Sequence, residues 1–215
     1  FGKIQNLAKV VISGAAVKKG IDLVKQLATE TAAAGDKIDK QSQVLGMSRK
    51  AYQEWDYILS QNGSSIDSMS VSMKTLNSAI LSAADGSEEY NGALAKLGLH
   101  YVELGEMDME DQFEAVVRAF QEMPAGAQKS ALAVKLFGRN GMELLPLLNN
   151  SSTSIDELRA KAEELGIIMS DDAIDASVEY TDALDTMQRT FNNLKYTVGA
   201  KLLPTFTNAI TKITS

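Results

Sequence analysis

The sequence predicts an all-α protein with a long N-terminal helix followed by a compact multi-helix domain, and three observations carry that expectation. Alanine, leucine, methionine, lysine, glutamate and glutamine dominate, and these residues lose little freedom in a helix. Only three prolines (Pro124, Pro146, Pro204) interrupt 215 residues. Capping residues recur between apolar runs of helical period, whereas an all-β sandwich would need more Val, Thr, Tyr and turn glycines. With 45% hydrophobic residues, the chain can bury one moderate core, or a core plus an extended appendage.

Residues 1–35 read as one long amphipathic, coiled-coil-like helix. Ile4, Leu7, Val11, Gly14, Val17, Ile21, Val24, Ala28 and Thr31 follow one another in steps of three and four. Two successive steps of three around Gly14 form a stammer, which overwinds a supercoil locally. Gly14 and Gly20 weaken the helix by about 1 kcal/mol each relative to Ala. The seam wants a partner helix, and self-association through 1–35 is one way to supply it. Val10 to Val17 is too short to span a bilayer, which takes about 20 apolar residues. It is bracketed by Lys9 and Lys18-Lys19, so it packs on its own protein or lies along a membrane surface.

Gly35 closes this pattern, and Asp36 opens the second region, a compact helical module expected over 36–200. Its first helix runs to about Leu45. Gly46-Met47-Ser48 is a stop and a cap for Ser48 to Gln61, where Ala51, Trp55, Ile58 and Leu59 share a face. Ser64 or Ser65 starts the next helix, to about Ala84, and Asp85-Gly86-Ser87 separates it from one that ends near Leu97-Gly98. Leu99 to Glu103 alternates, and is the one stretch that admits a very short β element. Asp108 to Met123 returns to helix until Pro124. Ala125 to Phe137 follows, with Ala131, Val134, Leu136 and Phe137 as its expected core. Ser154 caps Ile155 to Leu165, and Ser170-Asp171-Asp172 starts a long helix through at least Val198. Leu202-Leu203-Pro204 interrupts it, so 201–215 reads as the start of a further helix. The chain begins at Phe1 and ends with a helical pattern still running, as a piece of a longer protein would.

Charge and side-chain chemistry narrow the function. The formal net charge of -7 argues against direct nucleic-acid binding, which needs a basic face. Residues 1–50 carry nine positive and four negative side chains, the remainder 12 and 24, so the chain has a basic start and an acidic body. Cysteine is absent, which excludes disulfides, thiolate nucleophiles and Cys-ligated metal. The one histidine, His100, is expected to be structural, leaving no base for a catalytic triad. Asp171-Asp172, Glu163-Glu164 and Glu88-Glu89 are adjacent pairs that point to different helix faces. They suit caps and solvated surfaces rather than a shared cation. The single Trp speaks against an aromatic-lined sugar cleft. No catalytic, cofactor or metal residues are therefore assigned, and the expectation is a protein that is not an enzyme.

The most informative segment is Leu136-Phe137-Gly138-Arg139-Asn140-Gly141-Met142-Glu143-Leu144-Leu145-Pro146-Leu147-Leu148. Gly138 suits a left-handed helix stop, Asn140-Gly141 a tight turn, and Glu143 the start of a short apolar helix. Pro146 falls in that helix's first turn or kinks it. The result is a corner that buries Phe137, Leu144, Leu145 and Leu148, with Arg139 capping carbonyls or pairing with Glu143.

This segment resembles the Phe-Gly-Arg-x-Gly-x-Glu-Leu-x-Pro-Leu-Leu signature of the tail tape measure proteins of long-tailed phages. Phe137, Gly138, Arg139, Gly141, Glu143, Leu144, Pro146, Leu147 and Leu148 occupy its positions. Ile155, Leu158, Ala162 and Leu165-Gly166 resemble the stretch after it, and Leu202-Leu203-Pro204 resembles the family's Leu-x-Pro. The likeness spans about residues 36–210, specific in the Phe137 to Leu148 block and loose elsewhere. It implies a structural protein of the virion tail, present in the host cytoplasm during assembly, that sets tail length and assists DNA ejection. Its implied partners are the tail tube protein, tail assembly chaperones and tail tip proteins, with contact to the host envelope in addition. The alternative is a helical interaction or membrane-active module, an adaptor or effector unrelated to tails, for which nine methionines would supply an adaptable face.

Overall fold

The computed structural model describes residues 14–150 and 155–214, and within them the fold is all-helical. In chain order the helices are α1 (Gly14–Leu45), α2 (Arg49–Gln61), α3 (Ile66–Ala84), α4 (Glu88–Ala95), α5 (Tyr101–Gly105) and α6 (Met109–Glu122). There follow α7 (Ala127–Phe137), a 3-10 turn (Gly138–Met142), α8 (Leu145–Asn149), α9 (Ile155–Glu164) and α10 (Asp171–Thr214). Residues 1–13, with Ile4, Leu7 and Val11 of the first seam, and the Ser154 cap lie outside the described residues.

The capping grammar of the sequence is used as written. Ser48, Ser65, Ser87 and Asp108 each accept the backbone N–H three residues on, at 3.0, 3.2, 3.4 and 2.9 Å, and so start α2, α3, α4 and α6. Gly46 ends α1 with φ 66°, and Met47 N–H donates to the Ser42 carbonyl at 3.0 Å. The same long return bond ends α2, α3, α4 and α9.

Four expectations are corrected. α1 does not stop at Gly35, which has no positive φ, and runs on to Gly46; a glycine weakens a helix by about 1 kcal/mol without breaking it. Leu99 to Glu103 is not extended. The described residues contain no strand for it to pair with, and His100 caps the short helix α5, whose Leu104 is buried. In α7 the core face is Leu132, Ala133, Leu136 and Phe137, while Ala131 and Val134 are exposed; Lys129, buried on the same face, disguised its phase. Finally, α10 is continuous from Asp171 to Thr214, so Pro204 lies inside it, at the loss of one backbone donor.

The chain divides into two units, with boundaries that differ from the expected 36–200 module. Residues 37–171 form one, and the described residues before Lys37 and from Asp172 onward form the other. In the first, α3 is the hub, packing against α2, α4, α5, α6, α7 and the 3-10 turn. Its centre is aromatic. Trp55 and Phe113 meet edge-on at 5.2 Å, and Phe137 lies 5.5 Å from Phe113 and 5.7 Å from Phe120, all fully buried. Burying each such ring contributes about 1.5–3 kcal/mol relative to exposure.

The second unit consists of long helix. Among the side chains described in it, Leu23, Val24 and Leu27 on α1 and Phe191, Leu194 and Tyr196 on α10 are exposed. Val24, Leu27, Ala28, Ala173, Ala176 and Tyr180 line an open apolar groove within it.

Candidate functional site

The Phe137 to Leu148 corner is a packing device. Phe137, Leu144, Leu147 and Leu148 are buried among the core side chains, with at most 1% of their surface exposed. Gly138 takes φ 69°, and the turn after it brings Gly141 against α7. A Cβ on Gly141 would lie 2.3 Å from the Ala133 carbonyl oxygen and 2.6 Å from its carbon. Those are backbone atoms inside a helix, so only glycine fits the turn as it is folded. Pro146 sits in the first turn of α8, where its missing amide has no intrahelical partner to lose. Leu145 is half-buried at the edge of the core.

The two charged residues of the segment behave differently from expectation. Arg139 is exposed and pairs with no carboxylate among the described residues, Glu143 included. The Glu143 carboxylate instead accepts the hydroxyl of Ser68, and its backbone carbonyl accepts that of Ser64 at 2.5 Å. Glu143 thereby ties the corner to the start of α3. Pro204 lies far along the sequence in α10, in the other unit.

A second constellation, which sequence reasoning missed, centres on Arg159. Its guanidinium contacts Glu114 at 2.6 Å, Glu54 at 3.2 Å and Glu110 at 3.6 Å, and lies 5.5 Å from the centroid of the Trp55 ring. Arg118 contacts Glu114 at 2.6 Å and Asp156 at 2.8 Å, and Lys50 pairs with Glu163. Together these ion pairs fasten α9 to α2 and α6 at the floor of an open cleft of about 580 Å³. Burial pushes the Glu114 carboxyl up, but hydrogen bonds from Arg159 and Arg118 outweigh it and leave the group below its ordinary value. Burial raises Glu110, and the Arg159 charge offsets this only in part. Since Ile155, Leu158 and Ala162 face the core, Arg159 is a cation on the apolar stripe of its helix, and that placement was the available signal.

A neighbouring clasp holds the end of the compact unit. The Gln53 side-chain amide donates to the Met169 carbonyl at 3.1 Å and accepts the Met169 N–H at 2.7 Å. One turn earlier on α2, Arg49 pairs with Asp39 through two nitrogens and reaches Asp171 at 3.7 Å.

The remaining candidates are dispersed. His100 accepts the Val102 N–H through Nδ1 at 3.3 Å and stacks on Tyr101 at 4.7 Å, which is the work of a cap. Glu89 pairs with Lys135, while Glu88 and Glu89 open α4 where negative charge suits the helix dipole. Among the described residues no group of three or more His, Asp or Glu side chains is placed to hold a metal ion, and no helix is long and apolar enough to cross a membrane. No protein family, curated protein or solved structure was found to match the chain.

Proposed function

We propose that this chain is a helical scaffold segment of a phage or prophage tail tape measure protein, acting in tail-length determination and DNA ejection rather than in catalysis. The observation that supports this reading best is the use made of the signature. Phe137, Leu144, Leu147 and Leu148 fill the core, Gly138 and Gly141 meet backbone requirements, Glu143 fastens the corner to α3, and Pro146 begins α8. A motif whose residues are consumed by packing suits a protein that works through length and shape. On this reading the chain resides in the virion tail and meets tube, chaperone and tip proteins during assembly.

A compact unit and a ruler make opposite demands. As one continuous helix, residues 37–171 would span about 200 Å at 1.5 Å per residue. Folded as described, they cannot contribute that length. The proposal is that the unit occupies a wider part of the assembly or opens inside the tube. An in-frame deletion of residues 37–171 in the phage or prophage that encodes the chain tests this, with tail length measured by electron microscopy. A unit that opens inside the tube gives shortened tails on deletion; tails of normal length would overturn the ruler role for this region.

The second reading, a helical adaptor or membrane-surface module unrelated to tails, draws on the exposure of Leu23, Val24 and Leu27 on α1. Flotation of the chain with anionic liposomes separates the two, since strong binding that Leu23→Glu and Leu27→Glu abolish favours a surface-active helix.

A further inference from the structure

We propose that α9 (Ile155–Glu164) is an ionic lid on the compact unit: it leaves α2 and α6 in one step when its ion pairs are screened, uncovers the ring of Trp55, and lets the rest of residues 37–171 stay folded. Of its ten residues only Ile155, Leu158 and Ala162 are buried. It packs closely on α2 and is not among the close neighbours of the hub α3. A helix this short has little stability of its own in water, so α9 is folded only while it is docked.

Charge supplies much of the hold. Arg159 on α9 faces Glu54 on α2 at 3.2 Å, and Glu110 and Glu114 on α6 at 3.6 and 2.6 Å. Asp156 on α9 accepts from Arg118 of α6 at 2.8 Å, and Glu163 pairs with Lys50 of α2. The groups of these last two pairs are exposed and the Arg159 side chain is partly so, which lets dissolved ions reach each contact. Lifting α9 also takes Arg159 away from the three glutamates gathered around it. At low ionic strength their mutual repulsion opposes opening, and salt removes that opposition.

The flanks of α9 are tied to α2 by uncharged hydrogen bonds. Before it, the Asn150 side-chain amide donates to the Asn62 side-chain oxygen at 3.0 Å. After it, Gln53 and Met169 exchange two hydrogen bonds, at 3.1 and 2.7 Å. Between these anchors α9 can leave and return without release of the aromatic centre around Phe113, Phe120 and Phe137. Such a lid operates whether or not the chain belongs to a tail.

Hydrogen–deuterium exchange on the full chain tests the lid, read by mass spectrometry at about 0.01 M and about 1 M NaCl, where charges are felt over about 30 and 3 Å. Amides of α9 should exchange faster than those of α3 in both, and about tenfold faster at high salt than at low, while α3 changes by less than about twofold. Asp156→Asn/Glu163→Gln removes the two exposed pairs without altering a buried side chain. It should raise α9 exchange about fivefold at low salt, reduce the effect of salt, and keep the α3 protection of the parent. Protection of α9 equal to that of α3, α9 exchange that salt leaves unchanged, or a double variant that exchanges as the parent does overturns the proposal. So does a loss of α3 protection in step with α9, because the whole unit would then be unfolding.

Discussion

Gly141 rests on the carbonyl group of Ala133, close enough that a Cβ at 141 would stand 2.3 Å from the oxygen. The contact joins the turn after α7 to the backbone of α7 itself. Neither partner has a flexible side chain to move aside, so the smallest possible substitution must displace the corner that carries Leu144, Leu147 and Leu148 into the core. Gly141→Ala should therefore destabilise the compact unit by about 2–4 kcal/mol, within the range of overpacking and backbone strain. Urea unfolding followed by Trp55 fluorescence checks this, and a loss under about 0.5 kcal/mol would show that the turn relaxes freely.

Arg159→Met leaves Glu54, Glu110 and Glu114 without the cation they share. The expected loss at pH 7 is about 2–3 kcal/mol, reduced from that of a fully buried pair because the guanidinium is partly exposed. The pH dependence carries a sign. In the parent protein the lowered Glu114 contributes stability that is present above its ordinary value and lost as pH falls through its folded value. Raised Glu110 acts in the opposite sense, contributing at low pH and losing that contribution as pH rises. Without Arg159 both carboxyls move upward, so the deficit of the variant should shrink between pH 7 and pH 5. A deficit that stays constant over that range would mean Arg159 acts through packing on Trp55 alone.

Lys129 is buried with its ammonium donating to the Met123 carbonyl at 2.9 Å, and burial lowers its value from the ordinary 10.5. For a lysine lowered in the fold, burial disfavours the charged form relative to the unfolded chain, and stability rises as pH climbs from the folded value toward 10.5. Relative to the parent, Lys129→Met should lose this gain, so the stability difference between the two shifts toward the parent from pH 8 to pH 10. At pH 7 the variant should lie within about 1.5 kcal/mol of the parent, because a buried polar partner is exchanged for apolar volume. Paired urea titrations at pH 8 and 10 measure both quantities.

His100→Ala should remove a helix cap and lower stability by about 0.5–1 kcal/mol, and His100→Asp should restore most of it. Restoration by aspartate distinguishes a cap from an acid–base role, which a carboxylate in place of the imidazole would not reproduce.

The caps were legible because they are local. A serine three residues before a free amide needs no tertiary information, and Ser48, Ser65, Ser87 and Asp108 open their helices accordingly. The buried corner was legible too, since Gly138 and Gly141 allow a turn that other residues resist and Pro146 fixes its own φ at a helix start. The boundary at Gly35 and the break before Pro204 were misread because glycine and proline weaken a helix without the power to end it alone. Arg159 and Lys129 escaped notice for a shared reason. Each is a cation on an apolar stripe, and only the assembled fold shows the carboxylates or the carbonyl that make that burial tolerable. Arg139 was given a partner by proximity in sequence, whereas Glu143 found a better one across the fold in Ser68.

Arg49 and Gln53 stand one turn apart on α2, and between them they grip Asp39 near the entry of the compact unit and Met169 and Asp171 at its exit. The chain therefore enters and leaves residues 37–171 at one place, as a rope does around a cleat. Tension applied along the chain would load these few polar contacts first and leave the aromatic centre slack. While they hold, residues 37–171 add little to the distance the chain covers between entry and exit; once they slip, the buried core around α3 is what still holds the stored chain.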